Sequence, residues 1–415
     1  MCGNDNNEQH SDMKIGYILT TFPCRSETFA LREIEGLRSL GFDISIFAAT
    51  GQKNASEPPK IEKVYYRPSL FSFDTVSSIL YMLVKYPLAY VKLIWLILQV
   101  LITCPREAVS LVRNIHTIAF FSKYLEREKI SHIHAYFLSW PATMALAISI
   151  TTGRPYSISA HARDIFVEHG AAELKISRAN FVTACTQQGL KHIKNILPAR
   201  YHHKLHLCYH GIKVNSQSPG PHGEKTSESN HSDTIVAVGR LVPKKGFDNL
   251  LRAFASIVQK KSQYKLKIVG EGPERKRLKE LIEQLSLENN IELLGWRDAD
   301  ETIELINRAA ILVAPSVIAE DGDRDGIANV ILEAFANRTP VIASGLDSIS
   351  EAVENRRTGL LVKPSDMAEL ARATKELLND KVLLSRLSNN AYEMVLKNFN
   401  SVENTKQLAK LFISN

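Results

Sequence analysis

Two runs of strand–helix alternation, separated by a stretch almost without apolar side chains, constrain this chain more than any other feature. IGYILTTF (Ile15–Phe22) reads as a strand, the run from Glu27 to Leu40 as a helix closed by Gly41, and FDISIFAA as a second strand. After an unusual segment at 64–125 the alternation resumes. HIHAYF (His132–Phe137), PYSISAHA (Pro155–Ala162), FVTAC (Phe181–Cys185) and KLHLCYHG (Lys204–Gly211) read as strands, and PATMALAISITTG as a helix with a Gly stop. Residues 214–233, VNSQSPGPHGEKTSESNHSD, are polar and rich in Ser, Gly and Pro, as a linker would be. Beyond them TIVAVGR (Thr234–Arg240), KLKIVGEGP, IELLGW, AILVAPS, PVIAS and TGLLVKP read as strands between amphipathic helices, and the tail from Met367 is helical. Short apolar strands alternating with helices predict an α/β protein of two doubly wound parallel-sheet halves with a cleft between them. Ligands in such sheets bind beyond the carboxyl ends of strands, so residues just after strands carry the functional argument.

Composition narrows the class. With 45% hydrophobic and 23% charged residues among 415, the chain is neither disordered, collagenous nor a coiled coil. The formal charge of +7 fits an anionic partner. Nucleic acid is not expected, because the basic residues form no stripe interleaved with aromatics. Five scattered cysteines without a C-x-x-C argue against a disulfide framework or a zinc site, and for a reducing compartment. Residues 1–13 lack the apolar stretch of a signal peptide and read as a disordered tail, with Met13 an alternative start.

Several residues after strands could carry chemistry. Gly239 and Arg240 end the first strand of the second half, and Lys245 precedes the next helix. An Arg fork and a Lys point charge five residues apart can converge on one anion. Gly270 and Gly272 in GEGP would let backbone N–H groups approach a ligand, although a plain turn explains them equally well. In DGDRDGIANVILEAFANRTPVIAS, Asp325-Gly326 lies in a loop and Glu333 on the following helix. The N–H groups of Ala328, Asn329 and Val330 would open that helix and seat a diphosphate, and the two carboxylates suit sugar or ribose hydroxyls. Asp321, Asp323, Asp325 and Gly326 imitate half of a calcium loop. Leu332 stands where calcium needs its bidentate acid, so no metal is expected. In the first half His161 ends a strand, followed by Arg163 and Asp164.

Together these motifs resemble the retaining glycosyltransferases of family 4, which have the GT-B fold. VGRLVPKKGFDNLLRAF, GEGP, LGW, DGIANVILEAFANRTPVIAS and TGLLVKPSD fall in the family's order. ETFALREI, HIHAYF, SAHARDIF and CYHGI look like the branch that builds exopolysaccharides of the colanic acid and amylovoran type. The resemblance implies two Rossmann-like domains facing across a cleft: an acceptor domain at 14–213, a nucleotide-sugar domain at 234–395, and a helix at 396–415 returning to the first. It implies transfer of a hexose-type sugar from a UDP- or GDP-sugar, with no cofactor, to a lipid-linked or soluble glycan. Arg240 and Lys245 would neutralise the leaving diphosphate and Glu333 would bind ribose. His161 would contact the donor sugar, as would Asp325, which replaces the family's Glu. Arg25, Ser26 and Glu27 would shape the acceptor side. Front-face attack, with a phosphate oxygen taking the acceptor's proton, accounts for the lack of a nucleophile–base pair. An epimerase or phosphorylase of the same fold, and an inactive membrane scaffold, stand as alternatives.

The apolar segment 64–106 remains. KYPLAYVKLIWLILQVLITCP has an uncharged core shorter than the ~20 residues of a span, and it lies between strands of one sheet. It reads as an interfacial helix, with Lys85 and Lys92 toward headgroups and Leu96, Ile97 and Leu101 among its lipid-facing residues. A buried helix of the first domain is the alternative. The expected location is cytoplasmic, peripheral on an anionic inner membrane face.

Overall fold

The computed structural model describes residues 13–24, 27–51, 63–214, 233–259 and 263–414. The polar linker apart from its two end residues, nearly all of the N-terminal tail, and Arg25 and Ser26 lie outside the described residues.

The chain divides into two compact units. The first takes in Met1–Cys185, Gly189–Cys208 and Asn404–Asn415, the second Thr186–Gln188 and Tyr209–Glu403. After the short excursion at Thr186–Gln188, the chain passes into the second unit at Tyr209 and returns to the first at Asn404. The reason is local: Ile212 bridges Asn400, and the Gly211 backbone lies against Ser401 too closely to admit a Cβ. Both crossings are thereby tied together inside the second unit.

In the first unit the elements run β1 (Lys14–Thr21), α1 (Thr28–Ser39), β2 (Asp43–Thr50), β3 (Val64–Tyr66), α2 (Phe73–Lys85), α3 (Ala89–Thr103), α4 (Pro105–Arg113), α5 (Ile115–Arg127), β4 (His132–Tyr136), α6 (Trp140–Thr152), β5 (Tyr156–Ala160), α7 (Ala162–Phe166), α8 (Ala172–Arg178), β6 (Val182–Ala184), α9 (Gln187–Ile196) and β7 (Leu205–Leu207). The strands form one parallel sheet in the order β3-β2-β1-β4-β5-β6-β7. Strand order therefore reverses between β1 and β4, the place where such sheets receive ligands. One sheet face is polar yet satisfied. His134 bonds Ser157 at 2.8 Å and Ser159 at 2.9 Å, and His132 bonds Ser157 at 2.8 Å. Burial holds both imidazoles neutral, with His132 pushed down to about 4.

The segment expected to be one interfacial helix is broken. Pro87 disfavours helical backbone at Tyr86, so α2 stops at Lys85 and α3 starts at Ala89. The two axes differ by 101°, and among the described residues no single helix is long and apolar enough to cross a membrane. Along α3, Ala89, Leu93, Leu96 and Val100 are buried against the first unit's core, so Leu96 does not face outward as expected. Leu101 does.

The second unit runs β8 (Thr234–Val238), α10 (Phe247–Val258), β9 (Lys265–Val269), α11 (Arg275–Gln284), β10 (Ile291–Gly295), α12 (Ala299–Arg308), β11 (Ile311–Ala314), α13 (Asn329–Ala336), β12 (Val341–Ser344), β13 (Leu360–Val362), α14 (Met367–Asn379) and α15 (Lys381–Asn398). Its strands are parallel in the order β10-β9-β8-β11-β12-β13, reversing between β8 and β11. A final helix, α16 (Ser401–Ser414), places Phe412 against Phe42, His132, His134 and Phe181 of the first unit.

Candidate functional site

In the second unit the loops after β8 and β11, the two strands flanking the reversal, are locked together by backbone. Gly246 has φ +62°, and a Cβ there would stand 2.1 Å from the Pro315 carbonyl oxygen. Val317 N–H donates to the Lys244 carbonyl at 2.8 Å. This approach brings Lys245 to Asp325. Lys245 Nζ donates to Asp325 Oδ2 at 2.7 Å, and Ser316 Oγ donates to the same oxygen at 2.6 Å. Ser348 Oγ holds the Asp325 carbonyl oxygen at 2.7 Å. Lys244, itself buried, pairs with Asp323 at 3.0 Å and lies 3.6 Å from Asp325.

Burial alone would raise the Asp325 pKa. Lys245 and Lys244 override it, and the net shift is downward. Asp325 is buried, and its Oδ2 accepts from both Lys245 and Ser316, which fixes the Lys245 ammonium in place. One N–H of that ammonium is spent on Asp325, which leaves two donors with a fixed direction.

The Lys245 stem passes over Gly239, where an added Cβ would meet its Cε at 3.0 Å. Gly270 and Gly272 permit close backbone approach, but to protein. A Cβ on Gly270 would lie 1.9 Å from the Gly239 carbonyl oxygen, and one on Gly272 2.4 Å from that of Leu241. Arg240 behaves differently from the lysines. Its side chain is exposed, and among the described residues it enters no ion pair. Two lysines are matched here by two aspartates, while Arg240 extends exposed from the loop after β8.

The Asp325 loop continues through Gly326 into α13. Ala328, at the N-cap, supplies no side-chain acceptor, so the amides opening the helix at Asn329 and Val330 are uncapped by it. Such amides and their dipole favour an anion. Asn329 and Glu333 stand one turn apart on the helix, half-buried, while Val330, Ile331 and Leu332 face the core. The acidic triplet does not converge. Asp321 is exposed and accepts the Asp323 N–H at 3.0 Å, whereas Asp323 pairs with Lys244 and Asp325 chiefly with Lys245. No group of three His, Cys, Asp or Glu among the described residues is placed to hold a metal.

In the first unit His161 follows β5 and is buried among rings, with Phe137 at 4.5 Å, Tyr136 at 4.9 Å and Phe29 at 5.3 Å between centroids. Its backbone is fixed by Asp164, whose carboxylate accepts the N–H of His161 at 2.6 Å and that of Leu138. Phe137, between β4 and Leu138, has φ +111°, a strained value for a bulky residue. Burial raises the Asp164 pKa to about 7 against the opposing pull of those N–H groups. Lys175 braces the same loop, donating to Leu138 and Ser139 carbonyls and to Glu107 at 2.9 Å.

Sequence reasoning singled out His161, Arg240, Lys245, Asp325 and Glu333. It missed Lys244, Ser316, Lys175 and Glu107, and read Asp323 as part of an imitation calcium loop, not as the partner of Lys244. The Lys244–Lys245 doublet opposite D-x-D was the available signal for that pair. Nothing in sequence pairs Lys175 with Glu107, 68 residues apart.

Residues 222–394 match the family model described as glycosyl transferases group 1. A relative named as a colanic acid biosynthesis glycosyltransferase, WcaL of Salmonella typhimurium, is 33% identical over 178 residues, covering 43% of this chain and 44% of WcaL. The amylovoran biosynthesis glycosyltransferase AmsK of Erwinia amylovora is 32% identical over 33% of this chain and 34% of its own. The chain thus matches less than half the length of these relatives. Anabaena Alr3699/HepE, solved in complex with UDP and glucose, aligns with a TM-score of 0.69 at 19% identity over 97% of this chain and 100% of HepE. That likeness establishes the GT-B fold.

Proposed function

We propose that this chain, which carries a group 1 glycosyltransferase domain at residues 222–394, moves a hexose-type sugar from a nucleotide-sugar donor to a glycan acceptor in polysaccharide biosynthesis. The observation that carries this reading is the meeting, at the β8/β11 reversal of that domain, of an Asp325-oriented Lys245, the loop bearing Arg240, and the uncapped start of α13. Fixed positive charge and amide donors suit a nucleoside diphosphate, above all as negative charge develops on it during departure. Glu333 is assigned to the ribose hydroxyls and, in the first unit, His161 to the donor sugar. Asp325 acts on the donor through Lys245.

We assign a retaining, front-face reaction, as the resemblance to family 4 implies, in which a phosphate oxygen accepts the acceptor's proton. The protein's part is positioning and electrostatic stabilisation. UDP-bound HepE favours a nucleotide sugar as donor, and the relatives named for colanic acid and amylovoran favour an exopolysaccharide acceptor, lipid-linked in our reading.

The test is incubation with UDP-, GDP- and ADP-sugars and a polyprenyl diphosphate-linked oligosaccharide, with the product's anomeric configuration read by NMR. Release of nucleoside diphosphate with an extended glycan of retained configuration is expected. Free sugar 1-phosphate, an epimerised nucleotide sugar, or an inverted linkage would contradict the assignment.

A further inference from the structure

Between Leu70 and Val112 lie sixteen of the 25 large apolar side chains that the described residues expose. They are not scattered. Phe71 and Phe73 lead into α2, Leu80, Leu83 and Val84 lie on it, and Leu88 and Val91 follow the bend. Ile94, Trp95, Leu98, Leu101 and Ile102 occupy the side of α3 opposite its buried Leu93–Leu96–Val100 row. Phe71 is 98% exposed, Ile102 86% and Trp95 63%. Isolated exposed apolar residues need no explanation, but a continuous run of this size marks an interaction surface.

Charge identifies the occupant. Arg67, Lys85, Lys92, Arg106 and Arg113 are exposed along the same segment, and among the described residues none is ion-paired. Of the acids from residue 63 to 113, Asp74 is exposed, while Glu107 turns inward to Lys175 and Thr143. An apolar strip edged by unpaired cations with a Trp among them complements anionic headgroups over acyl chains. Aromatics and Arg also suit protein interfaces, but Lys is depleted there, and this strip carries the exposed Lys85 and Lys92 beside its apolar residues.

The helices lie on such a surface and do not cross it. At 1.5 Å per residue α3 is about 22 Å long, short of the ~30 Å hydrocarbon core. Strands β3 and β4, at the two ends of the segment, belong to one sheet. We propose that the outer faces of α2 and α3, with the start of α4, form a docking surface for an anionic lipid bilayer. They would lie in the headgroup region while their inner faces stay packed on the first unit.

The experiment is flotation of the full chain with vesicles of phosphatidylcholine alone, or with about one-third phosphatidylglycerol, followed by Trp emission. Nucleotide sugar is omitted, so the outcome is separable from that of the transfer assay. The chain should bind the anionic vesicles at least about tenfold more tightly than neutral ones, with a blue-shifted emission that Trp95→Phe removes, and less tightly at high salt. Phe71→Ser/Trp95→Ser/Ile102→Ser should lose binding at an unchanged melting temperature. Should that variant fail to fold, Lys85→Glu/Lys92→Glu, both on exposed side chains, should still weaken it. Indifference of the wild type to anionic vesicles, wild-type binding by the charge-reversed protein, or concentration-dependent dimerisation through this face without vesicle binding would overturn the proposal.

Discussion

Arg240 and Lys245 are both assigned to the diphosphate, yet their removal should have different consequences. Arg240 is exposed and balances no acid, so Arg240→Ala should lower turnover at least about tenfold, as loss of a charge-assisted hydrogen bond implies, and leave the melting temperature unchanged. Lys245→Ala should lower turnover and also destabilise by about 3 kcal/mol, because Asp325 is left buried with only Lys244 near it. Adding Asp325→Ala should recover stability and not activity, which separates the two roles. The cation spacing and the two acids point in the sequence to a donor site, the assignment proposed above; the closeness of Gly270 and Gly272 to protein backbone is visible only in the fold. That Asp325 serves Lys245 could not be read there, because the pairing depends on how closely Gly246 lets one loop approach Pro315. A second residue-scale expectation concerns pH. Tyr17 donates to Glu33 at 2.9 Å, and burial, against that bond, raises the Glu33 pKa to about 8. Its neutral form is favoured by folding, so the stability it contributes is full below the ordinary Glu pKa and is lost as pH rises toward 8. His132 and His134, with lowered pKa values, act oppositely and lose stability as pH falls from the ordinary His value toward 4. Melting scans should show Glu33→Gln flattening the alkaline limb and leaving the acidic limb in place; an unchanged alkaline limb would refute this.

At the scale of elements, what the sequence revealed depended on whether its pattern was one-sided. α10 was readable end to end as FDNLLRAFASIV because its apolar residues keep helical spacing and Gly246 precedes it. The parallel strands were equally plain as short apolar runs. α3 was not, since Leu, Ile and Val surround it and no periodicity distinguishes its core side from its exposed side; Leu96 was misplaced for that reason. β3 is three residues long at a sheet edge, too short to carry a signal. The glycine contacts give an element-scale prediction. Gly270→Ala forces a Cβ to within 1.9 Å of backbone and should destabilise by about 3 kcal/mol or more. Gly322, with φ +84° and nothing within 4 Å, should cost about 1–2 kcal/mol as Ala, from the backbone alone. Urea melts that ranked the two equally would contradict the packing argument.

For the whole molecule, the claim that joins fold to function is that one unit binds a nucleoside diphosphate through protein cations and helix amides. Asp323 and Asp325 are neutralised by Lys244 and Lys245, and no described group of three His, Cys, Asp or Glu is placed to hold a metal. Transfer should therefore persist in excess EDTA, and manganese-dependent recovery of lost activity would return the cluster to consideration. The most direct measurement of the central claim is nucleotide binding in EDTA, by thermal shift and calorimetry, with UDP, GDP and ADP on the wild type and Arg240→Ala. At 100 times its dissociation constant, one of the three should stabilise the wild type by about 2.7 kcal/mol, and Arg240→Ala should bind it at least about tenfold more weakly. No response to any of the three, or equal affinity in the variant, would contradict the account.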